Sequence, residues 1–88
     1  MDSKEIIGLL KTIGDMEEVT EIKWFHGYRK KKNGETEDIT VKILDMGPDH
    51  PQVRYACIVS SESGLEATGN ECATLEETIA VVHWNKLD

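Results

Sequence analysis

The sequence predicts an α+β domain in which a helix, a meander of four antiparallel strands and a second helix follow in order. Three observations predict it. Residues recur at helical spacing near both ends, as Ile6, Leu9, Leu10, Ile13 and Met16 and again as Leu75, Thr78, Ile79 and Val82. The middle of the chain alternates apolar with polar residues at period two. Gly and Pro clusters punctuate that middle into four segments. A meander flanked by helices places both helices on one face of the sheet. The other face then meets solvent or a partner.

Each element has its own signal. Asp2, with Glu5 three residues later, forms a capping box that satisfies free amides at a helix start. The helix then runs to Met16, with Gly14-Asp15 marking its end and Gly8 weakening it by roughly 1 kcal/mol relative to Ala. Val19 to Lys32 reads as a strand rich in aromatics, with Ile22, Trp24, His26 and Tyr28 on one face and Lys23, Phe25, Gly27 and Arg29 on the other. Asn33-Gly34 is the strongest hairpin signal in the chain, because both residues tolerate positive φ. The return strand places Ile39, Val41 and Ile43 on one face and Asp38, Thr40 and Lys42 on the other. A loop over Met46 to Gln52 carries Gly47-Pro48 and Pro51. Val53 to Ser60 and Leu65 to Gly69 are the third and fourth strands, joined by Ser61-Glu62-Ser63-Gly64. Thr74 and Glu77 make the second capping box, which opens the final helix.

Composition narrows the function classes. The 88 residues fit one domain, 1–88, with a modest core. No run of about 18 apolar residues is present to span a membrane. The short stretch Ile6 to Leu10 lacks the length and cleavage site of a signal peptide, so a cytoplasmic protein without membrane partners is expected. Cys57 and Cys72 lack metal spacing and read as reduced core thiols. Cys57 alternates among apolar neighbours, which raises a thiol pKa and makes it inert. No Gly-rich phosphate loop, His-Glu-x-x-His or nucleophile motif occurs, so a non-enzyme without cofactor or metal is expected.

The net charge is −7, with 10 basic and 17 acidic residues. That balance opposes tight, sequence-independent nucleic-acid binding. Four of the basic residues stand in one run, Arg29-Lys30-Lys31-Lys32, beside the hairpin turn.

From Ile39 onward the pattern resembles a double-stranded-RNA-binding domain. The resemblance rests on the loop Gly47-Pro48-Asp49-His50, on Tyr55 and Val59 in the next strand, on Gly69 ending the following strand and on the helix from Thr74. It implies that Asp2–Met16 is the family's first helix and that His50 reaches a phosphate or 2′-hydroxyl; the strand Val19–Lys32 is an extra one that departs from the family pattern and makes the expected order α-β-β-β-β-α. The family's final helix opens with phosphate-clamping lysines. This chain has Thr74-Leu75-Glu76-Glu77 there, and carboxylates repel phosphate.

The binding candidates are therefore Trp24, His26, Tyr28, Arg29, Lys30, Lys31, Lys32 and His50. Two readings of the aromatic strand stand side by side. Trp24 and Tyr28 pack under a helix with His26 at the margin, or all three form an exposed partner patch. Arg29 to Lys32 is either a solvated hairpin end that blocks edge pairing or a contact for phosphate or an acidic protein. His83 reads as a charge partner of the last helix's C-terminus. Three functions compete: a protein-interaction module, a weak RNA or single-strand binder, and an acidic inhibitor, of the phage anti-defence type, that occupies a nucleic-acid site on its partner. A homodimer through the outer sheet face or a strand edge is a further arrangement the sequence leaves open.

Overall fold

Asp2 Oδ1 accepts the Glu5 amide at 2.8 Å and opens helix α1, Ser3–Thr12, in the computed structural model, which describes residues 2–88. Strands β1 (Glu21–Lys30), β2 (Thr36–Asp45), β3 (Tyr55–Ser61) and β4 (Glu66–Thr68) follow, then helix α2 (Leu75–Ala80) and a 3₁₀ turn, Trp84–Leu87. The strands form one antiparallel sheet in the order β1-β2-β3-β4. The expected α+β order thus describes the molecule.

Period-two alternation assigns the two sheet faces. Ile39, Ile43, Cys57, Val59 and Ala67 are buried, and the register aligns them across β2, β3 and β4. Val82 and Leu87, from the chain's last turns, complete a core of seven apolar residues, with Val41 and Trp84 packed at its margin. Burial raises the Cys57 thiol pKa, as expected of a thiol in an apolar layer. Cys57 and Cys72 are both free.

The second capping box forms as read. Thr74 Oγ1 accepts the Glu77 amide and lies 3.2 Å from the Glu77 carboxylate. Helix α2 ends early, at Ala80. Beyond it the His83 amide turns to the Thr68 carbonyl at 3.2 Å, and the Trp84 indole donates to the Ile79 carbonyl at 3.1 Å. These bonds redirect the chain onto β4 and produce the 3₁₀ turn, which helical spacing alone does not reveal.

Helix α2 packs on β3. Helix α1 lies on the same side but at the margin, where it borders an open hollow of about 550 Å³ with Glu21, Lys23 and Asp45. It buries no residue. The radius of gyration is 15.3 Å, whereas a closely packed chain of this length has about 12 Å.

Candidate functional site: the open sheet face

The β1–β2 hairpin determines which side chains face outward. Gly34, at φ +90°, donates its amide to the Lys31 carbonyl at 3.0 Å, and Lys31 N–H bonds the Glu35 carbonyl at 2.7 Å. Asn33 Oδ1 accepts the Glu35 amide. The loop is therefore Lys32-Asn33-Gly34, a three-residue turn with glycine in the left-handed position. The hairpin turns at Asn33-Gly34 as expected, and Gly34 alone takes a positive φ there. In the resulting register Phe25 faces Val41 and Lys23 faces Ile43, on the core side. Trp24 faces Lys42, His26 faces Thr40 and Tyr28 faces Asp38, on the opposite side.

That opposite side carries no helix. Trp24 is 64 % exposed and Tyr28 78 %, with Ile22 and His26 exposed beside them. The reading in which Trp24 and Tyr28 lie under a helix is thus corrected. The Lys42 ammonium stands 5.3 Å from the Trp24 ring centroid, a cation–π distance that steadies the indole. By alternation the charged residues of this face are Lys30 and Lys42 against Asp38 and Glu66. The face carries an aromatic strip on β1 among mixed polar residues, and its charges balance.

The basic run divides between the faces. Arg29 and Lys31 point to the core side, where each meets a carboxylate. Arg29 Nη1 lies 2.7 Å from Asp88 Oδ1, and Lys31 Nζ lies 2.7 Å from Glu37 Oε2. Arg29 holds the Asp88 carboxyl below the usual range. Lys30 and Lys32 remain exposed. The run therefore offers half its formal charge.

Glu37 is buried, and it takes hydrogen bonds from the Ser63 amide and hydroxyl besides the Lys31 ion pair. The Lys31 bond is the main cause, with those of Ser63, that lowers its pKa from 4.5 to about 2. Because the folded carboxyl binds a proton less readily than the unfolded one, its stabilisation is full above pH 4.5 and is lost as pH falls toward about 2. Urea midpoints measured across that window should fall for the native chain and fall less steeply for Glu37→Gln, which has no proton to take up there.

His50 stands elsewhere. Gly47, at φ +92°, accepts the His50 amide at 3.2 Å, and His50 Nε2 is 3.7 Å from Glu18 Oε1. Asp45 accepts the Gly47 amide and two guanidinium nitrogens of Arg54, Nε and Nη2, and these hydrogen bonds, led by Arg54's, lower its pKa. This loop follows the end of β2, whereas the basic run precedes its start. Ten strand residues separate them, roughly 30 Å. His50 and the lysines cannot serve one small site. Cys72 pairs with Tyr55 at the loop end of the sheet, so the acidic start of α2, with Glu76 and Glu77, belongs to that same end.

Lys42 and Ile22 were not singled out by the sequence pattern as members of the patch. Ile22 shares the period of Trp24, and Lys42 becomes visible once the three-residue turn sets the register.

The chain matches no family model, no curated protein and no solved structure. The site therefore rests on its own geometry. Among the described residues no three of His, Cys, Asp or Glu converge as a metal site. No described helix is long and apolar enough to cross a membrane.

Proposed function

We propose that the chain is a non-enzymatic protein-interaction module, built on a scaffold like that of double-stranded-RNA-binding domains, whose contact surface is the open sheet face. The observation that carries the reading is the exposure of Trp24 and Tyr28 on one face that no helix covers. Trp and Tyr are the residues most enriched where binding energy concentrates. Monomeric proteins rarely leave such a strip bare without a use for it.

Charge favours a protein over a nucleic acid. A single-strand platform combines stacking aromatics with a basic groove. Here the aromatics stand on a face whose charges balance, and two residues of the basic run are already paired. The carboxylates of Glu76 and Glu77, and Glu18 beside His50, weaken phosphate binding at the loop end. The scaffold reading draws on element order and on the Gly47–His50 loop, while the charge pattern departs from RNA recognition.

Affinity capture with the full chain tests the reading. The double variant Trp24→Ala/Tyr28→Ala is expected to weaken the captured partner's binding at least about tenfold, whereas Lys30→Glu/Lys32→Glu changes it less than about twofold. Binding should vary little with salt. Duplex and single-stranded RNA titrated at about 50 mM salt should show no binding. Salt-sensitive RNA binding that the lysine variant abolishes would overturn the proposal in favour of a nucleic-acid partner. So would capture unaffected by loss of both aromatics.

A further inference from the structure

The two edges of the sheet differ. At one edge β4 is three residues long, and short edge strands resist pairing with another chain. At the other edge β1 is ten residues long, runs without proline or bulge, and is exposed at every position from Ile22 to Tyr28.

The register determines which backbone groups point out of that edge. The Lys31 amide bonds the Glu35 carbonyl, so the odd-numbered residues of β1 are the ones bonded to β2. The N–H and C=O groups of Ile22, Trp24, His26, Tyr28 and Lys30 therefore point away from the sheet. Among the described residues no strand lies beyond them. Such a ladder accepts an extended strand. Helix α1 cannot supply one, because its backbone bonds run within the helix, and β2 and β3 are already paired on both edges.

The strand that fits is β1 itself. Antiparallel pairing about a two-fold axis sets each residue against the one equally far on the other side of the axis, so the strand has to be complementary to itself. With Phe25 on the axis, Trp24 meets His26, Ile22 meets Tyr28 and Glu21 meets Arg29 of the other copy. Aromatic and apolar side chains then pair on the outer face and opposite charges on the core face. Asp88 takes only Nη1 of Arg29, which leaves guanidinium donors for Glu21. Phe25 is 57 % exposed although it points to the core side, and on the axis it is covered by its own counterpart. Other axes lose this match. An axis at His26 sets Lys23 against Arg29, and one at Gly27 sets Lys23 against Lys31. An axis at Trp24 leaves Tyr28 and Arg29 opposite Thr20 and Val19, outside the strand. A strand that receives a foreign peptide needs no symmetry about its own middle; β1 has it.

We infer that β1 pairs with β1 of a second copy, antiparallel about Phe25, and joins two four-stranded sheets into one. The pairs Ile22–Tyr28 and Trp24–His26, each made twice, contribute about eight backbone hydrogen bonds. The short β4 edges end the assembly at two copies. The axis is perpendicular to the sheet, so both outer faces point the same way. The two rows of Ile22, Trp24, His26 and Tyr28 become neighbours, and the aromatic strip becomes a band two strands wide. The self-pairing holds whatever that band binds.

Sedimentation velocity on the full chain provides the test. The native chain is expected at twice its 9.9 kDa mass. Glu21→Arg and Arg29→Glu each set like charges opposite one another and should weaken the dimer at least about tenfold. An equimolar mixture of the two should regain it, because in the mixed pair both ends again carry opposite charges. His26→Pro removes an outward amide that β2 does not use, and should abolish the dimer while the circular dichroism spectrum is kept. If that variant unfolds, the charge variants and their mixture decide alone. A native chain monomeric at every concentration overturns the inference. So does a dimer that survives a folded His26→Pro, or a mixture no tighter than its components.

Discussion

Leu87→Ala should lower the unfolding free energy by about 3 kcal/mol, within the range for emptying a buried leucine site. Leu87 is 1 % exposed, one residue from the end of the chain, in the 3₁₀ turn that packs on β4. With Val82 it is the part of the core that comes from outside the sheet. Its neighbour Asp88 is bound outward to Arg29 and does not refill the space. A domain of this length has about 4–13 kcal/mol in total, so one truncation removes a large share. The thermal midpoint should drop by roughly 15 °C, taking about 5 °C per kcal/mol. Leu65→Ala, at a residue 42 % exposed, is the control and should shift it far less. An equal shift in the two variants would mean that the last turn is not part of the core.

Element order was legible because both capping boxes and the period-two runs are local signals. Asp2 and Thr74 cap their helices as their spacing indicates. The face of the aromatic strand was not legible, for a reason of one residue. A two-residue Asn33-Gly34 turn pairs Lys32 with Glu35 and brings Trp24 opposite Ile43, on the core side. The three-residue turn pairs Trp24 with Lys42 and places the aromatics outside. A slip of one residue exchanges the faces of a strand, so turn length decided the site. The early end of α2 was hidden for a different reason. Val81, Val82 and Trp84 continue the helical spacing, but the His83 amide is taken by the Thr68 carbonyl of β4 and the Ile79 carbonyl by the Trp84 indole, which are tertiary partners.

The pairing within the basic run was equally out of reach of local reading. Lys31 finds Glu37 across the hairpin, six residues away, but Arg29 finds Asp88 from the opposite end of the chain. Once those two are neutralised, the contrast between a basic tip and an acidic remainder shrinks, and the aromatic face becomes the feature with the larger consequence.

Gly69→Ala should cost about 3 kcal/mol, at the upper end for forcing extra atoms into a filled site. Gly69 follows β4, where the chain passes the end of α2. A Cβ at this position would lie 2.5 Å from the Val81 carbonyl oxygen, 2.7 Å from its carbon and 2.8 Å from Val81 Cγ2. Two of the three are backbone atoms that no rotamer change can move. Relief requires the end of α2 to retreat from the strand. That motion stretches the His83 amide to Thr68 carbonyl bond and pulls Val82, 5 % exposed, out of the core. The glycine that marks the strand's end in the sequence is thus a point of backbone approach rather than of unusual φ. Gly27→Ala, with nothing within 4 Å of its Cβ, is the matched control inside a strand. Urea denaturation should place the Gly69 variant's midpoint well below that of the Gly27 variant, and coincident curves would show that strand and helix end do not meet there.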